Sequence, residues 1–458
     1  ASMKKLFYQP KDAWVGDLIP YWEDGTFYGF YLHDPRIKDK EYAEETTWHL
    51  VTTKDFVNLD YKGESIRRGA DDRPNKNAYT GSVIKDSNGI YHAFYTAYNE
   101  KFKINGKSIQ SVMQATGSDL EHLETMEDFL FVADGVLYEE FDWRDPFVFW
   151  NEEDGCYWML LASRLKDSGA LRGGCIALCK SKDLINWSYE KPFYAPQMYV
   201  TMECPEVFRM GEYWYLVYST FSDCFTTHYR IAKSLDGPWM IPEDDVFDTR
   251  ADYAIKTASD GEHRYAFGWI ASKYGNCDFG PWEWGGTMVF HELVQDQATG
   301  ALKVKVIPGV RDYYTKENEI TQITSYNCEL YKEKNAVDVM SQTLGAGLYE
   351  IPHDCFSIEL DVHVEQAHEF GIALHVDKDM EQGYFLRMNP RKKEMAWDMW
   401  PRDHQGKYQW QIKGDICIVY INDEVVMSTR MYDHKDGYAG VYVVQGCVKI
   451  SNFKLKIK

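Results

Sequence analysis

The chain has no run of about 18 apolar residues, which excludes a membrane-spanning helix. It also lacks CxxC pairs and histidines at zinc spacing. Its ten cysteines are scattered, and Cys175 and Cys179, four apart, have no two further ligands nearby, so free buried thiols in a reducing compartment are expected and no metal or other cofactor is. Positive charge is scarce: 50 Lys and Arg face 71 Asp and Glu, a formal net charge of −21. That balance argues against nucleic acid and anionic membrane as partners, because both are polyanions, and favours a neutral or weakly polar substrate. Helical heptads are missing. The opening Ala1-Ser2-Met3-Lys4-Lys5 carries no signal-peptide pattern and reads as an appended dipeptide before a native start, so a cytoplasmic setting is expected.

Aromatic residues are abundant, at 16% of 458 residues with 15 Trp and 33 Tyr, and they recur in register. Gly25 begins Gly-Thr-Phe-Tyr-Gly-Phe-Tyr, Gly89 begins Gly-Ile-Tyr-His-Ala-Phe-Tyr, Gly155 begins Gly-Cys-Tyr-Trp-Met-Leu-Leu and Gly211 begins Gly-Glu-Tyr-Trp-Tyr-Leu-Val. A fifth, shifted copy starts at Gly261. A second signal follows in Thr53-Lys-Asp-Phe-Val-Asn-Leu, Gly117-Ser-Asp-Leu-Glu-His-Leu, Ser181-Lys-Asp-Leu-Ile-Asn-Trp and Lys233-Ser-Leu-Asp-Gly-Pro-Trp, read as outer-strand turns. Periods of roughly 50 to 65 residues built from short strands are the pattern of propeller blades. The expected fold is all-β: a five-bladed β-propeller over residues 1–312, followed by a C-terminal β-sandwich.

Eight to ten residues before each turn glycine stand Asp17, Gly81, Asp145, Glu203 and Asp252. In a propeller this is the start of the innermost strand, so four of five blades aim a carboxylate at one funnel, and the second offers Thr80 and Ser82. A single Asp at a strand start reads as a turn-capping residue. Four acids in register are different, because like charges cost free energy unless their pKa values are pushed apart for chemistry or a cation binds.

From Cys355 onward strict alternation takes over, as in Phe-Ser-Ile-Glu-Leu-Asp-Val-His-Val and in Val448-Lys-Ile-Ser-Asn-Phe-Lys-Leu-Lys-Ile-Lys. Period-two strands separated by Asp, Gly and Asn turns predict a two-sheet sandwich over residues 325–458. It gathers no chemistry, and glycan binding, packing or a homo-oligomer interface are its candidate roles.

Trp14-Val15-Gly16-Asp17, Trp143-Arg144-Asp145-Pro146 and Met202-Glu203-Cys204-Pro205, in that order and spacing, resemble the three signature blocks of glycoside hydrolase family 32, the fructan hydrolases, invertases and levanases. Asp252-Tyr253-Ala254, Phe267-Gly268-Trp269 and the run from Gly286 to Leu293 look like its later stretches, so the resemblance spans the chain. It implies a five-bladed propeller with a C-terminal sandwich and a small carbohydrate substrate. It makes Asp17 the nucleophile, Glu203 the general acid/base and Asp145 the residue that holds ring hydroxyls, in retaining β-fructofuranoside hydrolysis. Such chemistry needs an ionised carboxylate about 5 to 5.5 Å from a protonated one. The field of Asp17 and Asp145 is expected to raise the pKa of Glu203. Arg144 is expected to keep Asp145 ionised. Trp14, Trp48, Tyr79, Thr80 and Trp269 match sugar-contacting positions, and Trp282 and Trp284 are candidates for the funnel rim.

Two departures stand out. Gly16 replaces the amide that usually precedes the nucleophile, and Leu32 stands where the family commonly places Gln, with His33 or Asp34 as substitutes. Lost hydroxyl partners change which glycoside is preferred. An inverting arabinofuranosidase-type propeller enzyme, a fructosyltransferase and a non-catalytic glycan-binding protein remain alternatives.

Overall fold

A computed structural model of the chain describes residues 2–4, 6–36, 44–351, 355–404 and 416–457. Ala1 and Lys5 of the opening pentapeptide lie outside the described residues. The architecture is nearly all-β: among the described residues the helices are the four-residue Pro308–Arg311 and the single 3-10 turn Tyr274–Asn276.

Five antiparallel meanders follow one another, and the leading strand of each is numbered β1 to β5. β1 (Trp14–Glu23) continues through Thr26–Asp34, Thr47–Thr53 and Asn58–Ile66, and β2 (Asn77–Lys85) through Tyr91–Tyr98, Ser111–Gly117 and Glu124–Thr125. β3 (Tyr138–Asn151) leads Cys156–Leu165, Gly174–Ser181 and Ser188–Tyr194, and β4 (Glu203–Met210) leads Tyr213–Thr220 and Thr226–Ala232. β5 (Asp252–Ser259) leads Arg264–Lys273, Trp282–Gln295 and Leu302–Lys305. Each leading strand touches the next, and β5 touches β1, so the five close into a ring. A bridge between Gly286 and Val15 joins the last meander to the first.

The repeat read from sequence is a repeat of backbone chemistry. Gly25, Gly89, Gly155, Gly211 and Gly261 all have positive φ, between 56° and 96°, which a hairpin turn demands and glycine supplies without steric cost. The outer turns repeat too. Thr53 Oγ1 accepts the Phe56 N–H while Asp55 Oδ1 accepts those of Val57 and Asn58. Ser181 Oγ accepts the Leu184 N–H while Asp183 Oδ1 accepts those of Ile185 and Asn186.

Apolar cores lie between successive meanders. Ile19, Phe30, Leu50, Val83 and Met113 cluster between the first two, Phe94, Val112, Val148 and Leu161 between the second and third, and Leu160, Ile176, Val207 and Leu216 between the third and fourth. Burying such strands on both faces at about 25 cal/mol per Å² of apolar surface is what stacks the sheets.

The chain divides into two compact units, one of Ala1–Ser272, Glu283–Ile307 and Val419–Ser428, the other of Lys273–Trp282, Pro308–Ile418 and Thr429–Lys458. The sequence suggested one cut between 312 and 325, whereas the units interleave. Within the first unit, Val419–Ser428 is held by Asp248, which accepts the Ser428 N–H and hydroxyl at 2.8 and 2.6 Å, and by Tyr420, which bonds His291 at 2.8 Å. The second unit is built on two long strands, Ala336–Glu350 and Tyr438–Ile457, paired antiparallel over cores that include Val339, Val441, Val443 and Ile450.

Candidate active site

Every leading strand slips register at the same step. The pairing of each with its neighbour breaks between Val15 and Leu18, Ala78 and Gly81, Arg144 and Phe147, Glu203 and Glu206, and Tyr253 and Lys256. These are β-bulges, which bend a strand and re-aim its side chains. Asp145, Cys204 and Ala254, the first bulged residues of β3, β4 and β5, have φ of 59°, 49° and 54°. Asp17, Thr80, Asp145 and Cys204 lie in the bulges, and Arg144, Glu203 and Tyr253 stand one residue before them.

That registry brings the three acids close enough for each to feel the charge of another. Asp17 Oδ2 accepts from Thr80 Oγ1 at 2.6 Å and Asp17 Oδ1 from Trp269 Nε1 at 2.8 Å. Cys204 links two acids: its N–H donates to Asp145 Oδ2 at 3.0 Å, and its thiol lies 3.5 Å from Asp17 Oδ2 and 3.7 Å from Asp145 Oδ2. The Asp145 N–H donates to Thr96 Oγ1, whose own proton goes to the Thr80 carbonyl. Glu203 Oε2 takes two N–H donors of Arg144 at 3.3 and 3.2 Å, and Glu203 Oε1 takes the Tyr253 hydroxyl at 2.8 Å. Beneath them the buried Lys256 reaches from β5 to the Gly81 carbonyl of β2 at 2.7 Å.

Burial dominates the electrostatics. It raises the Glu203 pKa; Arg144 and Tyr253 oppose that rise and Asp145 adds to it. The direction is the one expected from sequence, but desolvation is a larger cause than the neighbouring acids. Asp17 is also raised by burial and by Glu203, against the donors Thr80, Trp269 and Cys204 that favour its ionised form. Asp145 is raised by burial and by Asp17, and lowered by Arg144, the Cys204 N–H and Lys256. Burial, Asp17 and Asp145 push the Cys204 thiol well up, so it stays protonated and donates.

Arg144 was expected to serve Asp145. Its hydrogen bonds go to Glu203, to Asp142 at 2.6 Å, to Gln110 and to Thr201, and Asp145 feels its charge through space. Asp252 does not join the acids. It is 1% exposed, bonds His291 at 3.2 Å and sits beside Asp248, with its pKa raised to about 7 by burial. Adjacent strand residues point to opposite faces, so the side chain reaching Glu203 is Tyr253. Trp48 is no wall either: it is fully buried between Phe30 and Tyr95 and gives its N–H to the Tyr79 carbonyl. Trp269 is equally buried and serves as a donor to Asp17. Tyr79 is half-buried against the same core, and burial raises its pKa.

Trp14 lies at the edge of the cluster. Its N–H goes to Ser272, and the Arg36 guanidinium sits 4.4 Å from its ring. Arg36 also holds Asp34, Glu283 and the Trp284 carbonyl. Asp34 is thereby engaged, His33 stacks on His49 at 3.9 Å, and Leu32 is core. Sequence reasoning missed Cys204, Tyr253, Thr96 and Lys256. Among the described residues, three sets of side chains bring metal-ligand atoms within 4.8 Å: Asp17, Asp145 and Cys204; Asp223, Cys224 and His228; Asp248, Asp252 and His291. The thiol proton bridges the first, and in the other two both histidine nitrogens are already hydrogen-bonded.

The profile of the Glycosyl hydrolases family 32 N-terminal domain matches residues 7–302. The chain is 28% identical over 218 residues to the sucrose-6-phosphate hydrolase of Escherichia coli, covering 46% of this chain and 42% of that one. It is 24% identical over 207 residues to the levanbiose-producing levanase of Bacillus subtilis (strain 168), covering 43% and 36%. The chain thus spans less than half the length of these curated relatives. The crystal structure of fructan 1-exohydrolase IIa from Cichorium intybus superposes over 99% of this chain and 97% of that one with a TM-score of 0.71 at 15% identity, a likeness of fold.

Proposed function

Because the chain belongs to glycosyl hydrolase family 32, we propose that it is a retaining glycoside hydrolase that cleaves β-fructofuranosides by double displacement. The observation that carries this reading is the convergence of Asp17, Asp145 and Glu203, from the first, third and fourth leading strands, on one buried cluster. Asp17 attacks the anomeric carbon of the bound furanose, and its three donors favour the ionised carboxylate in opposition to burial. Glu203 protonates the leaving oxygen, for which a raised pKa is required, then deprotonates the water that releases the sugar. Asp145 holds ring hydroxyls as charge develops on the sugar.

We read the five meanders as a five-bladed propeller that forms the catalytic domain over residues 1–312, supported by the closed ring of leading strands and by Lys256 crossing it. Residues 325–458 form a β-sandwich in this reading. Ten free thiols fit a reducing, cytoplasmic compartment. The substrate is uncharged: the net charge is −21, and Arg144, Arg36 and Lys256 are all engaged by carboxylates or carbonyls.

Initial rates on sucrose, sucrose 6-phosphate, inulin, levan and an aryl arabinofuranoside test this. Cleavage of a neutral fructoside is expected to exceed that of the phosphorylated one, and Asp17→Asn and Glu203→Gln to lose at least about 10³-fold in kcat. Cleavage of arabinofuranoside alone, or full activity in Asp17→Asn, contradicts the reading.

A further inference from the structure

Gly16, directly before Asp17, has no side chain, and the space one would fill holds the ring of Trp284. A Cβ at position 16 would meet Trp284 Cη2 at 2.1 Å, with Cζ2 and Cζ3 at 2.8 Å. The same ring lies 5.8 Å from Trp269, whose N–H holds Asp17, and packs against the core that carries Tyr79. Trp284 is half-buried. Its carbonyl is fixed by Arg36 at 2.6 Å, and Arg36 is itself pinned by Asp34 and Glu283, so the residue is held at its backbone.

The indole nitrogens separate Trp284 from its neighbours. Trp14 donates to Ser272, Trp48 to the Tyr79 carbonyl and Trp269 to Asp17. Trp284 alone of these four has no protein acceptor for its N–H among the described residues, and that nitrogen is not one of the buried unpaired polar atoms. An aromatic face and one unengaged donor therefore stand against the residue that precedes the nucleophile.

We propose that Trp284 is the specificity-determining residue of this site, stacking on the apolar face of the substrate's terminal furanose and donating its indole N–H to one ring hydroxyl. This rests on the fructoside reading of the same acids. Seating the ring requires glycine at 16, since a bulkier residue would displace it. A furanose recognised this way is held by ring stacking and one directional bond, so a ring with fewer hydroxyl donors and acceptors remains acceptable.

Calorimetric titration of 2,5-anhydro-D-mannitol, a locked furanose that cannot be cleaved, into the wild type, Trp284→Phe and Trp284→Ala tests this. Trp284→Phe keeps the stack and loses the donor, and about threefold weaker binding is expected. Trp284→Ala loses both, for about tenfold weaker binding. Binding within about twofold of wild type in Trp284→Phe overturns the donor and, in Trp284→Ala, the whole proposal. If Trp284→Ala does not fold, as judged by near-ultraviolet circular dichroism, Trp284→Leu, which also lacks the aromatic face and the donor, takes its place with the same two outcomes. Sucrose hydrolysis in parallel separates the two readings. A wild type that binds the locked furanose through Trp284 without cleaving sucrose contradicts hydrolysis alone, and one that does not bind it contradicts both.

Discussion

Glu203 sits between opposed influences, and its role depends on their balance. Burial and Asp145 favour its protonated form; Arg144 and the Tyr253 hydroxyl favour the ionised one. Removing the Tyr253 donor takes away a bond to the carboxylate, so the proton is held to higher pH. Tyr253→Phe is therefore expected to move the basic limb of the kcat/KM profile upward in pH, and an unmoved limb would show that the 2.8 Å bond carries no weight in the free enzyme. At this scale the sequence revealed the acids but not their supports. Tyr253 looked like one more packing ring and Cys204 like one more buried thiol, since only their positions relative to a bulge make them partners of the acids. Asp252 was misplaced for the same reason: one residue along a strand is a change of face.

A recurring backbone device underlies each meander, a glycine turn at one end of the leading strand and a bulge at the other. The turns were legible because positive φ leaves a glycine signature, and the bulges were not, because Gly16, Tyr79, Asp145, Cys204 and Ala254 share no residue type. The two devices respond differently to mutation. Gly25 has φ 81° and nothing within 4 Å of an added Cβ, so Gly25→Ala brings backbone strain alone, about 1 kcal/mol, with kcat/KM unchanged. At Gly81 an added Cβ would fall 1.7 Å from the Phe94 carbonyl oxygen, where backbone cannot yield, so Gly81→Ala is expected to cost at least about 3 kcal/mol. Urea midpoints compare them, and equal losses would mean that the close approach at Gly81 is relieved.

For the molecule as a whole, the order of the repeats fixes which strands supply which acids. Neighbouring meanders bring Glu203 beside Arg144 and Tyr253, and Thr80 and Trp269 beside Asp17, so chain order becomes a circle of donors around the carboxylates. The five-fold period and the change to strict alternation near residue 355 were legible in the sequence. The interleaving of the two units was not, because it depends on Asp248 and His291 meeting Ser428 and Tyr420, residues far apart in the chain. The central proposal is that Asp17 forms a covalent bond to the sugar. Cleavage of sucrose in dilute methanol, with products identified by carbon NMR, tests it most directly. Attack from one face by Asp17 and then by methanol from the other returns the original configuration, so methyl β-D-fructofuranoside is expected. The α-anomer would contradict it.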